Sequence, residues 1–183
     1  MFRELIFRGL IGLRDATSDI FSRFRQETSW EPQAPGSIED LEYFLQQAYR
    51  WKRDAAHGLL DNMQTIRHMN WQLETTNRIE GDCDDFAKYT SYLLYRMGYR
   101  DIHIANILTM RHVIVIYGTG EAYNVFSNHI HYPIRAQDLD DAIQEYAAAN
   151  GKRTNRHGYL VESASRYLRR EGLLKDSPRG EDT

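Results

Sequence analysis

The chain has little that could tie it together covalently, anchor it in a membrane or draw it to a charged partner. It contains 1 cysteine among 183 residues, which excludes an internal disulfide and a four-thiolate zinc site. A formal charge of −3 gives no overall attraction to nucleic acid or to an acidic membrane surface. No uncharged stretch approaches the roughly 20 apolar residues of a membrane-spanning helix. We therefore expect a soluble protein with no transmembrane segment and no nucleic-acid partner.

Hydrophobic patterning divides the chain into a central domain and two terminal segments. Charges at Arg3, Glu4 and Arg8 interrupt the apolar N-terminus, so it lacks the core of an export signal and we expect a cytoplasmic location. Apolar residues at three- and four-residue intervals predict an N-terminal helix or helix pair, docked on the core or attached to a membrane or partner. The expected segments are a helical extension with a linker at residues 1–36, one domain at 37–175 and a disordered tail at 176–183.

Within the central domain, helical spacing gives way to extended runs and then returns. Helices are predicted over residues 37–54, 59–69, 83–97, 136–149 and 158–170. Extended segments are predicted over residues 70–80, 102–108, 111–117 and 122–126, the last three forming an antiparallel meander. This order of elements predicts an α+β fold.

The only cysteine, Cys83, lies where a loop passes into the best-defined helix, in the sequence GDCDDFA. A helix N-terminus presents backbone N–H groups and a partial positive charge, which stabilise a thiolate and the oxyanion formed when it attacks a carbonyl. A nucleophilic cysteine also needs a base, usually a histidine. His112 opens an apolar strand that can pack its end against the start of this helix. The sequence therefore predicts a Cys83–His112 pair.

Residues 70–128 resemble the bacterial transglutaminase-like cysteine proteinase family, which includes periplasmic adhesin-cleaving proteases. The similar elements are a Trp71-Gln-Leu-Glu segment, the GDCDDFA block, the following Lys-Tyr pair, a leucine-rich helix ending in Met-Gly-Tyr, the block RHVIV and the strand AYNVFSN. The resemblance implies a papain-like α+β core, with the cysteine helix packed on an antiparallel sheet and extra N- and C-terminal helices. It also implies acyl transfer through a thioester, as in a cysteine peptidase or amidase acting on a protein or peptide.

The resemblance makes Cys83 the nucleophile and His112 the general base, but the third member departs from the family pattern. The family usually ends its next strand with Leu-Asp-Asn, whereas this chain has Phe-Ser127-Asn128, so Ser127 stands at the position of the orienting aspartate. A neutral hydroxyl stabilises an imidazolium less than a carboxylate does. Asn128 is the alternative orienting group, although strand alternation points it away from Ser127. The rival interpretation is a non-catalytic interaction module that keeps the fold and has lost the chemistry.

The carboxylates beside the cysteine have two explanations. Asp82 suits a helix N-cap, while Asp84 and Asp85 suit the first turn, where negative charge complements the helix dipole. The resemblance implies instead that these three residues hold a calcium ion, which would offset their charge next to the thiol. The chemistry itself requires no cofactor.

The remaining candidates each have an ordinary structural explanation. Trp71 either belongs to the core, lines a substrate groove or directs its indole N–H toward the oxyanion. His129 and His131 are expected on one strand face, without a third metal ligand, in surface or hydrogen-bonding roles. The basic residues Arg166, Arg169 and Arg170 are expected on a solvated helix face.

Overall fold

The computed structural model describes residues 25–52 and 64–174, and within them it shows an α+β architecture. The helices are α1 (Ile38–Ala48), α2 (Ile66–Thr76), α3 (Cys83–Arg96), α4 (Leu139–Ala149) and α5 (Ser165–Arg170). The strands are β1 (Tyr49–Trp51), β2 (Ile79–Gly81), β3 (Ile102–Ile107), β4 (His112–Gly118), β5 (Tyr123–Ser127), β6 (Ile130–Ala136) and β7 (Tyr159–Ser163). The predicted N-terminal helix before residue 25 and the tail at 176–183 lie outside the described residues. Among the described residues, no helix has the length and apolar character needed to cross a membrane.

Five strands form an antiparallel sheet in the order β6-β5-β4-β3-β7. Consecutive hairpins join β3 to β6, which confirms the predicted antiparallel meander, and β7 returns to pair with β3 at the far edge. The short strands β1 and β2 form a separate parallel pair. The C-terminal end of β2 leads directly into α3, so this pair positions the start of the cysteine helix.

The sheet has one hydrophobic layer on each face because the strand β4 is a continuous apolar run whose successive side chains point to opposite faces. Val113, Val115 and Tyr117 of β4 join the core that contains α3, together with buried residues of α1, α2 and α5. Ile114 and Ile116 point to the opposite face and pack with the buried side of α4. Strand alternation therefore places successive residues of β4 against two different helices.

The central helix α3 is buried along nearly its whole length, which fixes the position of its first residue, Cys83. Asp82 caps the helix, its side chain accepting a hydrogen bond from the Asp84 N–H. All residues from Asp84 to Leu94 are buried. The helix ends before Gly98, whose φ of 104° suits glycine, as the sequence predicts.

Two secondary-structure predictions before Cys83, one of a helix and one of an extended segment, need correction. The helix predicted to reach residue 54 ends at Ala48, because Tyr49–Trp51 pairs instead with β2. The segment over residues 70–80, predicted as extended, is helical as far as Thr76, and only Ile79–Gly81 is a strand. Asn77, in the left-handed conformation at φ 55°, ends α2 and turns the chain into β2.

The C-terminal part differs from the prediction for a similar reason. The helix predicted over residues 158–170 is divided into the edge strand Tyr159–Ser163 and the short helix Ser165–Arg170. The free edge of β3 accepts this strand, so backbone pairing outweighs the helical spacing of its apolar residues. Strand Ile130–Ala136 was not predicted as a full strand, and α4 begins at Leu139 rather than at residue 136.

Candidate active site

Cys83 is the first residue of α3 and is half-buried at the edge of the core. Burial raises the pKa of two tyrosine hydroxyls near Cys83, Tyr49 from β1 and Tyr146 from α4, and a negative charge on the Cys83 sulfur would raise both further. Tyr49 also donates a hydrogen bond to the Asp82 carbonyl at 3.1 Å, which ties β1 to the helix start. The thiol therefore lies where the β1–β2 pair, α3 and α4 approach one another.

The structure brings His112 and Ser127 together at the end of the sheet. His112 is the first residue of β4 and Ser127 is the last residue of β5, and strand alternation points both side chains toward the face that carries α4. The distance between His112 Nε2 and Ser127 Oγ is 2.8 Å. Ser127 therefore contacts the Nε2 nitrogen of the imidazole. The second ring nitrogen, Nδ1, is not the one that Ser127 contacts.

Tyr146 belongs to the same cluster and was not singled out from the sequence. Its hydroxyl lies 2.7 Å from Ser127 Oγ, and its ring stacks on the His112 ring at 6.3 Å between centroids and 23° between planes. The residue falls on the apolar face of α4, beside buried Ala142 and Ile143, so the sequence pattern indicates a core position. Only the placement of α4 against β4 and β5 reveals that its hydroxyl meets Ser127.

Among the described residues, the cluster around the imidazole contains hydroxyl groups rather than carboxylates. Burial lowers the pKa of His112, which favours the neutral imidazole. Burial raises the pKa of Tyr146, an effect that its hydrogen bond with Ser127 opposes in part. At neutral pH both groups are therefore uncharged, and His112 is in the form that can accept a proton.

Asn128 occupies a turn and does not take the orienting position. It lies in the two-residue connection between β5 and β6, with a φ of 49° that asparagine tolerates better than most residues. Its side-chain oxygen is buried and has no hydrogen-bond partner among the described residues. The side chain in hydrogen-bond contact with His112 Nε2 is that of Ser127 instead.

Trp71 lies on α2 and lines a surface groove of about 630 Å³. Its ring stacks on His68 at 5.6 Å, and the other described lining residues are Gln72, Thr76, Asn77, Arg78 and Glu80. The groove thus runs beside β2, which leads into Cys83, whereas Cys83 and His112 themselves are not among its described lining residues.

The acidic block does form a cluster, with one carboxylate oxygen each from Asp82, Asp84 and Asp85 within 4.8 Å of the others. Asp85 is 1% exposed and already accepts two hydrogen bonds from Gln64, from the backbone N–H at 2.6 Å and from the side-chain amide at 2.7 Å. Calcium requires six to eight oxygen ligands. Asp85 therefore fits a structural role better than a metal site. Asp82 and Asp84 stay candidate ligands, although Asp82 already accepts a hydrogen bond from the Asp84 N–H and Asp84 one from the Asp85 N–H.

A buried polar network supports the start of α3, and no sequence pattern predicts it. The Lys88 ammonium forms an ion pair with Glu171 and donates a hydrogen bond to the Gln64 carbonyl at 2.6 Å. Glu171 also accepts a hydrogen bond from the Ile66 N–H at 2.6 Å, at the first residue of α2. These contacts join the region after α5 to the first turns of α2 and α3, next to Asp85.

The other sequence candidates have structural roles. His131 lies on β6 and its Nε2 is 2.8 Å from the Tyr117 hydroxyl, but His129 lies in the preceding turn, so the two do not share a strand face. Arg166, Arg169 and Arg170 are exposed on α5, as expected.

No protein-family model and no curated protein matches the chain. The transglutaminase-like resemblance and the catalytic roles of Cys83, His112, Ser127, Asn128 and Trp71 therefore stay predictions.

Proposed function

We propose that the protein is a thiol-dependent acyl-transfer enzyme with a papain-like or transglutaminase-like core, acting as a cysteine peptidase or amidase on a protein or peptide. The observation that supports it best is the hydrogen bond between His112 Nε2 and Ser127 Oγ at 2.8 Å, at the end of the sheet on which the cysteine helix packs. When Ser127 holds Nε2, the remaining nitrogen, Nδ1, is the one that can receive the thiol proton.

In the proposed reaction, His112 Nδ1 takes the proton of Cys83, and the sulfur attacks the substrate carbonyl carbon. The backbone N–H of Cys83, at the N-terminus of α3, stabilises the oxyanion. The tetrahedral intermediate then releases the amine, which takes the proton from His112, and a thioester remains. A water molecule, deprotonated by His112, attacks this thioester and restores the thiol.

Trp71 and its groove are proposed as a substrate-binding surface, because the groove lies alongside the strand that leads into Cys83. Its described walls combine an indole ring with amide groups and with one arginine and one glutamate, Arg78 and Glu80. Such a lining suits a polypeptide with mixed side chains rather than a strongly charged ligand.

Calcium is proposed only in a restricted form. Asp82 and Asp84 would contribute ligands, whereas Asp85 would have to give up its bonds with Gln64. The ion would offset negative charge beside the thiol. No step of the reaction depends on it.

The second candidate is a non-catalytic interaction module. One observation favours it, namely that the orienting position holds a neutral serine while burial lowers the pKa of His112. In that case the imidazole would take part in folding but would not activate the thiol.

The two candidates differ in the reactivity of Cys83, which can be measured by iodoacetamide labelling from about pH 5 to pH 9. The enzyme requires Cys83 to react faster than a free thiol near neutral pH and to lose this advantage in His112→Ala. His129→Ala, which removes an exposed imidazole, is the matched control and should leave the rate unchanged. A rate equal to that of a free thiol in both the native chain and His112→Ala would overturn the enzyme proposal.

A further inference from the structure

The contact with Ser127 does not by itself decide which ring nitrogen of His112 carries the proton. A neutral imidazole carries its single proton on either Nδ1 or Nε2, and the partner of the other nitrogen decides which. A carboxylate can only accept a hydrogen bond, so it would hold the proton on Nε2. A serine hydroxyl can donate as well as accept, so Ser127 alone is compatible with both tautomers.

Only one tautomer serves the proposed reaction, on which this inference rests. With the proton on Nε2, Nδ1 has the lone pair that receives the thiol proton. The imidazolium formed next has N–H groups at both positions, so Ser127 must again accept at Nε2. In each state, the Ser127 hydrogen must point away from His112.

We propose that Tyr146 is a positioning residue, whose phenol oxygen accepts the Ser127 hydrogen and thereby keeps the His112 proton on Nε2. The Ser127 to Tyr146 distance of 2.7 Å suits a hydrogen bond donated by either hydroxyl, and the proposal selects the direction in which Ser127 donates. Among the hydrogen bonds of the described residues, Ser127 Oγ has no partner other than His112 and Tyr146. The hydroxyls of Ser127 and Tyr146 thus replace a carboxylate by orientation rather than by charge.

Packing holds the phenol in place for this role. Tyr146 is 3% exposed, stacks on the His112 ring and meets the Tyr132 ring edge-on at 5.1 Å and 84°. Burial raises the pKa of Tyr146, so the phenol stays neutral. It offers an oxygen acceptor in a fixed direction without adding a charge.

Removal of the phenol oxygen gives a specific expected result. In Tyr146→Phe the packing is retained, but the Ser127 hydrogen loses its acceptor and turns to His112 Nε2. The imidazole proton then moves to Nδ1, and the thiol loses its base. We expect labelling of Cys83 near neutral pH to slow by about three- to tenfold, the range of one hydrogen bond.

The tautomer itself is measured by nitrogen NMR of the His112 side chain at about pH 8, well above the ordinary histidine pKa. The native chain should carry the proton on Nε2, Tyr146→Phe should carry it largely on Nδ1, and the control Tyr132→Phe should resemble the native chain. In Ser127→Asp combined with Tyr146→Phe, a carboxylate that can only accept should return the proton to Nε2. This rescue separates positioning from a general loss of structure.

Two outcomes would overturn the inference: an Nδ1–H tautomer in the native chain, which requires no variant, or an Nε2–H tautomer retained in folded Tyr146→Phe. The measurement needs no substrate and can be repeated in Cys83→Ala. Expected tautomers together with an unreactive Cys83 would defeat the proposed function and leave the role of Tyr146 standing.

Discussion

The two sides of the candidate site carry opposite kinds of polar group. Around the thiol, at the start of α3, the structure gathers the carboxylates of Asp82, Asp84 and Asp85. Behind the imidazole it places the neutral hydroxyls of Ser127 and Tyr146. The resemblance implied a carboxylate beside His112, whereas in the structure the carboxylates lie beside Cys83.

This arrangement disfavours a thiolate–imidazolium ion pair from both ends. Carboxylates next to a thiol oppose its ionisation, and a buried imidazole without an anionic partner resists protonation. We therefore expect Cys83 and His112 to rest mainly as a neutral pair, with His112 taking the thiol proton as the sulfur attacks either the substrate or a labelling reagent such as iodoacetamide. The following predictions change either the carboxylates beside Cys83 or the neutral groups beside His112, or they remove the contacts that hold these groups in place.

The largest effect, on the free energy of unfolding, is expected from Glu171→Ala, which removes buried polar contacts near the acidic residues at the start of α3. The change leaves the Lys88 ammonium buried without its ion-pair partner and removes the acceptor of the Ile66 N–H. Loss of one partner of a buried pair typically costs about 3–5 kcal/mol. Urea unfolding should show a loss of that order.

The matched control is Glu80→Ala, because Glu80 pairs with Lys52 on the surface, with side chains 52% and 68% exposed. An exposed pair contributes at most about 1 kcal/mol. Equal losses in the two variants would contradict the structural role of Glu171.

Ser127→Asp places a negative charge beside His112, so that carboxylates would then lie next to both Cys83 and His112. A carboxylate in contact with imidazole raises its pKa, by about 1–3 units for a close ion pair. Titration of His112 by NMR should show the increase, and Cys83 labelling should become faster at mildly acidic pH. Ser127→Ala is the control, and a pKa of His112 unchanged by the aspartate would contradict the observed contact.

Acid should destabilise the fold through its buried imidazoles. Burial lowers the pKa of His68, His112 and His131. The unfolded chain therefore binds more protons below about pH 6.5, so the free energy of unfolding falls as the pH drops from that value through the lower native pKa values.

Thermal unfolding between about pH 7 and pH 5 measures this slope. Ser127→Asp should flatten it, since a raised pKa removes the contribution of His112. His129→Gln alters an exposed residue and should leave it unchanged. A stability that increases toward acid would refute the prediction.

The smallest effect is expected from Asp82→Asn, which neutralises one charge beside the thiol. Asparagine caps helices about as well as aspartate, so stability should change little, while Asp82→Ala should lose about 0.5–2 kcal/mol. Labelling of Cys83 should become a few-fold faster because less negative charge opposes the thiolate.

The same variant tests calcium. If the ion offsets this charge, added calcium should accelerate Cys83 labelling in the native chain and have a smaller effect in Asp82→Asn and Asp84→Asn. The calcium proposal fails if calcium and a chelator give identical labelling rates and identical unfolding temperatures.

Local patterns predicted the elements nearest the site. The helix over Cys83–Arg96 follows from its cap, its apolar spacing and the glycine after it, and β3 to β5 follow from runs of β-branched and aromatic residues. In contrast, β7 was interpreted as helix because its apolar residues fit both periods, and only the open edge of β3 decides between them.

The parts of the site that the sequence could not supply depend on contacts between distant segments. Tyr146 has the spacing of a core residue, and its hydroxyl acquires a partner only when α4 packs beside β5. Gln64 and Glu171 are ordinary polar residues until folding brings them to Asp85 and Lys88. Single-sequence patterns describe which face is buried and do not reveal which polar groups meet there.

The ion pair between Lys88 and Glu171 also has a consequence for synthesis of the chain. Lys88 is made long before Glu171, so the segment of the cysteine helix is synthesised before the carboxylate that completes its surroundings. A buried ammonium without that partner is unfavourable, and final packing of α3 therefore waits until translation has passed residue 171. The timing of protein synthesis would in this way keep Cys83 from acquiring its mature environment on an incomplete chain.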